Sequence, residues 1–223
     1  MAKPKVLAFD VYGTLIDTQG IVDKLTLVVG DQAAQFSRLW RDKQLEYSFR
    51  RGLMRAYQGF DLCTEQALDY ACLAYSVTLS DSQKADLLEG YRHLPAFPDV
   101  SSSLRELANT GLDMYAFSNG LPDSVESLLA EAQIGEYFLG VVSVDEIQSF
   151  KPDPAVYKLF CAKAGCDACE AMLISSNPFD ILGALHAGMQ TAWVQRSPDA
   201  IFDPWTITPG LTVTSLGSLP DLI

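Results

Sequence analysis

The chain has 223 residues, of which 16 are basic and 28 acidic, giving a formal charge of −12. That charge repels nucleic-acid phosphates and anionic lipid surfaces, which excludes both as partners. With 48% hydrophobic and 20% charged residues, the chain can bury a core and is not disordered; at about 150 residues per domain it makes one large domain or a domain with an insert.

In chain order, Met1 to Pro4 leads directly into an apolar run, Lys5 to Asp10, without a signal-peptide core or cleavage site. Unbroken apolar runs suit parallel strands buried on both faces. Residues from Gln19 to His93 change character: helix formers with a helical apolar period, as in Phe36, Leu39, Trp40, Lys43 and Tyr47, predict an insert of roughly three or four helices. Pro95 and Pro98 mark its end. Strand runs then recur at Leu112–Phe117, Gly140–Val144, Ala171–Ser175 and Thr191–Gln195, with a weaker one at Leu211–Thr214, separated by helical patterns. The alternation predicts a doubly wound, Rossmann-like parallel α/β sheet with an all-helical cap inserted after the first strand. The expected core domain is 1–16 plus 97–223, and the cap is 17–96. No run reaches the ~18 apolar residues of a membrane-spanning helix. Five cysteines (Cys63, Cys72, Cys161, Cys166, Cys169) are too few and odd in number for a disulfide framework. A cytoplasmic protein is expected.

In such sheets ligands bind beyond the carboxyl ends of the strands, so the polar residues there are the candidates. Asp10 and Thr14 follow the first strand, with Gly13 permitting a tight anion-facing turn between them. Ser118-Asn119-Gly120 follows the second, Lys151 stands in a proline-bounded loop beyond the third, and Ser175-Ser176-Asn177 with Asp180 follows the fourth. Each has a plain alternative. Asp10 can end a turn, Ser118 and Asn177 can cap helices, and Lys151 can be solvated. Arg41 and Leu45 share one helix face; Arg41 can roof an anion site or simply face water. His93 and His186 read as structural, with no cysteine or carboxylate at ligand spacing, and Cys166 and Cys169 form a single CxxC without a second pair. Phe36, Trp40, Tyr47 and Phe49 read as core.

Taken together and in order, Asp10-Val11-Tyr12-Gly13-Thr14-Leu15, Ser118-Asn119-Gly120, Lys151-Pro152-Asp153 and Ser175 through Asp180 resemble the four signatures of the haloacid dehalogenase superfamily, and most closely its L-2-haloacid dehalogenases. Leu39-Trp40-Arg41 and Lys43 to Tyr47 are similar to that family's helical cap. The resemblance implies that Asp10 attacks C2 of a small anionic 2-haloacid, expels halide with inversion, and is freed when water hydrolyses the ester. It further implies that Arg41, Asn119 and Phe179 receive the halide, and that Ser118, Lys151 and the Val11 and Tyr12 N–H groups hold the substrate carboxylate. Tyr12, Leu45 and Phe60 would line the alkyl pocket. Asp180 would be the base, with Thr14, Ser175 and Asn177 orienting it or Asp10. A homodimer is implied as well. Phe179 replaces the tryptophan of several relatives and Asp42 an amide; a helix turning about 100° per residue directs Asp42 away from the site.

Two other readings share the fold. A Mg²⁺-dependent phosphatase would carry a second aspartate where this chain has Tyr12 and an acidic pair where it has Ser176-Asn177, so no metal or other cofactor is expected. A silent binding protein would not need the complete set of charged groups.

Overall fold

The computed structural model describes residues 3–223; Met1 and Ala2, which begin the expected first core segment, lie outside the described residues. Six parallel strands, β1 (Val6–Asp10), β2 (Asp113–Ser118), β3 (Gly140–Ser143), β4 (Ala171–Ser175), β5 (Gln190–Val194) and β6 (Leu211–Val213), form one sheet in the order β3-β2-β1-β4-β5-β6. Each lies within one residue of the expected run. On β1, Leu7 and Phe9 enter one buried apolar cluster while Val6 and Ala8 enter another, so both sheet faces are covered. That double burial is why the strand carries no alternation of polar residues. The chain steps outward from β1 to β2 and β3, then returns beside β1 as β4. The direction of winding therefore reverses between β1 and β4, opening a crevice at their carboxyl ends, Asp10 and Ser175.

Between β1 and α5 (Val100–Ala108) stand only helices and turns: α1 (Val22–Val29), α2 (Ala33–Met54), α3 (Phe60–Tyr75) and α4 (Asp81–Arg92), with two short 3₁₀ turns. The later helices are α6 (Pro122–Glu131), α7 (Pro154–Ala164) and α8 (Pro178–His186), each with proline in its first turn, where no N–H is missed. Phe36 and Trp40 of α2, Ala67 and Leu68 of α3 and Tyr91 of α4 share a buried cluster with Leu15 and Ile16 of the loop after β1. The Trp40 indole also donates to the Thr64 carbonyl at 2.8 Å, joining α2 to α3. Phe49 is only half-buried, so it is not the core residue expected. The chain enters and leaves the helical insert side by side: Asp17 N–H donates to the Pro95 carbonyl, Phe97 N–H to the Leu15 carbonyl, and Ile16 pairs with Ala96. No described helix is long and apolar enough to cross a membrane.

His93 corrects a sequence expectation. Carboxylates do flank it: Glu89, four residues back on α4, lies 2.9 Å from Nε2, and Glu131 of α6 lies 2.5 Å from Nδ1. Helical spacing brings Glu89 there, while only the fold brings Glu131. Its role is still structural, as an ion-paired link between the insert and α6.

Asp99 ties the far edge of the sheet to the loop after β1. It accepts from Arg196 at 2.7 and 2.8 Å, from Ser215 Oγ at 2.8 Å and from Leu216 N–H at 2.8 Å, while Arg196 donates to the Thr14 carbonyl at 2.7 Å. Burial disfavours its charge, but the Arg196 and Leu216 contacts outweigh this and hold its pKa below the ordinary 3.8. A lowered carboxylate pKa stabilises the fold above the ordinary value and is lost as pH falls through the folded one. Asp99→Asn should therefore cost about 1.5–3 kcal/mol at pH 7. In urea melts the gap to wild type should shrink below about pH 3.8.

Candidate active site

Asp10 ends β1 with its carboxylate almost wholly buried. Its two oxygens have different surroundings. Oδ2 accepts from Thr14 Oγ1 at 2.7 Å, Asn177 Nδ2 at 2.7 Å and Ser175 Oγ at 3.2 Å. Oδ1 faces the Lys151 ammonium at 3.1 Å.

Lys151 is 1% exposed, so the solvated alternative fails. Its ammonium donates to Asp10 Oδ1, to Asp180 Oδ2 at 2.8 Å and to the Phe117 carbonyl at 2.9 Å. All of its protons are thereby engaged within the protein. The loop is set from below, because Lys151 N–H donates to Asn119 Oδ1 at 3.0 Å. Asn119 is thus a brace for the lysine loop, while α6 starts after Leu121 with no side-chain cap. Asn177 does occupy the N-cap position of α8, but its side chain makes no cap; its amide goes to Asp10 and, at 3.2 Å, to the Tyr12 carbonyl. Ser118 is buried, with Oγ accepting from Gly120 N–H at 3.0 Å.

The turn after β1 has Gly13 at φ +86°, a conformation that favours glycine. It is fastened to the end of β4: Ser176 N–H donates to Thr14 Oγ1 at 2.8 Å, and Ser176 Oγ to the Gly13 carbonyl at 2.7 Å. Val11 is fully buried.

Asp180, at the start of α8, is 0% exposed. Its Oδ1 accepts from the Tyr157 hydroxyl of α7 at 2.8 Å. Sequence reasoning missed Tyr157, since a tyrosine on the apolar face of a helix looks like core until the tertiary approach is known. One signal was available in Gly183: any Cβ there would lie 2.3 Å from the Tyr157 hydroxyl, so a side chain at that position would block the approach. Burial raises the Asp180 pKa; Lys151 opposes this, Asp10 adds to it, and the result is about 6. Burial also works against the Lys151 charge, but Asp10 and Asp180 more than offset it and its pKa rises. The site thus holds one ammonium between two carboxylates.

From the insert, Arg41 of α2 donates to the Tyr12 carbonyl at 3.3 Å and to Gln44 Oε1 at 2.5 Å. Gln44 was not singled out from the sequence. Asp42 is exposed, as the helical turn requires. Tyr12, Leu45 and Phe60 pack in one apolar cluster. The Tyr12 and Phe60 rings, 6.0 Å apart, line a cavity of about 210 Å³ with Tyr91, Arg92 and Leu121. Phe179 lies elsewhere: it meets Phe49 edge-on at 4.9 Å, in an apolar groove with Phe150 and Lys151. Burial pushes the Tyr12 phenol well above its ordinary pKa, so it is a poor acid.

A magnesium ion, which related folds use, does not fit this donor set. The Lys151 ammonium already bridges the two carboxylates, and Ser176 and Asn177 are neutral. The remaining chemistry is that of a nucleophilic carboxylate. Oδ1 has one donor, the Lys151 ammonium, and keeps a lone pair for attack, Oδ2 is held by three donors, and Asp180 is a nearby carboxylate of near-neutral pKa.

A model of the haloacid dehalogenase-like hydrolase family matches residues 4–188. The (S)-2-haloacid dehalogenase of Pseudomonas sp. strain YL is 36% identical over 218 residues, covering 98% of this chain and 94% of that protein. The L-2-haloacid dehalogenase of Xanthobacter autotrophicus superposes with a TM-score of 0.90 at 33% identity, over 98% of each chain. Its form with chloropropionic acid covalently bound also superposes at 0.90, at 32% identity and the same coverage.

In carboxylate-edited infrared titration, one carboxyl should titrate near pH 6 and vanish in Asp180→Asn. Because the Tyr157 hydrogen bond lowers this pKa, Tyr157→Phe should move it upward. A shift downward, or no carboxyl titrating above pH 5, would contradict the electrostatics described.

Proposed function

The chain belongs to the haloacid dehalogenase-like hydrolases, and we propose that it hydrolyses short L-2-haloalkanoic acids, the (S)-2-haloacids, to 2-hydroxy acids with inversion. The observation that carries this reading is the unequal hydrogen bonding of the two Asp10 oxygens.

In the first step Oδ1 of Asp10 displaces halide from C2; the new C–O bond forms opposite the breaking C–halogen bond, and the halide leaves with the electron pair. Halide needs no proton, which accords with Tyr12 at the position where a phosphatase keeps its acid. In the ester, Oδ2 becomes the carbonyl oxygen and retains Thr14, Ser175 and Asn177 as donors. Those groups stabilise the oxyanion that forms when water attacks Cγ. Asp180 takes the water proton and returns it to Oδ1 as the Cγ–Oδ1 bond breaks, which releases the hydroxy acid. Lys151 lies between Asp10 and Asp180 and offsets the repulsion between two close carboxylates.

Arg41, with Asn119, is assigned to the departing halide; Phe179, which packs on Phe49 in its own groove, is left out of that assignment. Ser118 and the Val11 and Tyr12 N–H groups are assigned to the substrate carboxylate. Lys151 acts on that carboxylate by charge, since its protons are engaged. The alkyl group is assigned to Tyr12, Leu45 and Phe60. We also read the chain as a cytoplasmic homodimer: its cysteines are all free, which suits a reducing compartment, and Leu73 and Tyr70 offer exposed apolar surface on α3.

With chelator present, purified protein should release chloride from (S)-2-chloropropionate and form (R)-lactate. Asp10→Asn should lose this activity by roughly 10³-fold or more. Asp180→Asn should accumulate a protein adduct of the ester mass. A single turnover in ¹⁸O water with excess enzyme should label Asp10; label in the lactate instead, or Mg²⁺-dependent phosphate release from an aryl phosphate with no halide release, would overturn the reading.

A further inference from the structure

Arg41 differs from the ion-paired arginines of the molecule by what holds it. Arg50, Arg92 and Arg196 pair with Glu46, Glu89 and Asp99. Among the described residues no carboxylate lies within ion-pair distance of Arg41. Its partners are neutral oxygens, the Gln44 amide and the Tyr12 carbonyl. Gln44 is 0% exposed, and a buried amide is costly unless every group on it is satisfied.

The hydrogen supply dictates how that amide points. Thr64 Oγ1 donates its single proton to the Phe60 carbonyl at 2.9 Å. Toward Gln44 it can therefore only accept, and it accepts from Gln44 Nε2. With the nitrogen committed to α3, the amide oxygen must face the other way. There it accepts from Arg41 Nη1 at 2.5 Å and from the Tyr91 hydroxyl of α4 at 3.2 Å. The Trp40 bond to the Thr64 carbonyl keeps α3 in register with α2. One glutamine thus takes its orientation from two helices and passes it to the guanidinium on a third.

We propose that Gln44 is a positioning residue for Arg41, a neutral tether that aims the guanidinium at the leaving halide while leaving its positive charge unspent. This rests on the dehalogenase reading above. A carboxylate in the same place would hold Arg41 as firmly but cancel the charge that an anion needs. An aliphatic side chain of the same length would leave the charge and release the aim. The tether acts most on the step in which negative charge grows on the halogen, so its loss lowers kcat more than it raises KM.

Bromide binding to the intact enzyme by titration calorimetry tests the tether without turnover. Gln44→Glu should weaken bromide at least tenfold, and Gln44→Met about three- to tenfold, each with a larger loss in kcat than change in KM. Thr64→Val, which frees the amide to turn, should weaken bromide in the same direction, whereas Thr64→Ser, which keeps the hydroxyl, should match wild type. The Thr64 pair decides the matter if either Gln44 variant melts early. Bromide constants within twofold of wild type in the folded variants, or no bromide binding by wild type, would overturn the tether. If the constants shift as expected but wild type releases no halide from 2-chloropropionate, the tether stands and the dehalogenase reading fails.

Discussion

A buried ammonium held by two buried carboxylates is the constraint on which the rest of this structure depends. Removing Lys151 from water is unfavourable by several kcal/mol unless opposite charge and hydrogen-bond acceptors replace the lost hydration. Asp10, Asp180 and the Phe117 carbonyl supply both. The carboxylates gain from the same arrangement. Without the lysine, two acids beside one another in an apolar crevice would share a proton, and one of the pair would be silent at neutral pH. The elements around the crevice supply this group of three and its acceptor: β1 and α8 bring the carboxylates, β2 brings a carbonyl, and the loop before α7 brings the ammonium.

Lys151 and Arg41, on opposite sides of the crevice, are treated differently as charges. In the sheet half, opposite charges meet and neutralise within hydrogen-bond distance. In the helical half, Arg41, which reaches the Tyr12 carbonyl, is met only by neutral oxygens. The first arrangement is suited to holding a nucleophile in one ionisation state, the second to receiving an anion that was not there before. An acidic protein with charge −12 gives an anion little general attraction. Local positive charge left unpaired has to supply it.

The strands were legible because burial on both faces leaves an apolar run that nothing else in the chain imitates. The polar residues at their ends were legible because a doubly wound sheet collects strand ends at one edge, so order along the chain stood in for proximity. The bland explanations for Lys151 and Asn177 failed for a common reason: each side chain spends its hydrogen bonds on partners at least 29 residues away along the chain. Tyr157, Gln44 and the Glu131 partner of His93 were not legible. Their chemistry arises from helices meeting at angles that no local pattern records, and on their own helices they look like ordinary buried or surface positions. Phe49 was misread as core in the same way, since its ring meets Phe179 across the junction of the two halves.

The pairing of residues 15–17 with 95–97 has a consequence for how such a molecule can change over long times. Because both ends of the helical excursion arrive as neighbours, roughly 5 Å apart as paired strands are, the sheet needs nothing from the intervening eighty or so residues to close its own path. A short turn would join the same points. The roof departs from and returns to the floor at one place, and an oily seam through Leu15 and Ile16 joins the two. A lineage can exchange one roof for another, and with it the kind of molecule admitted, without disturbing the reacting acid below.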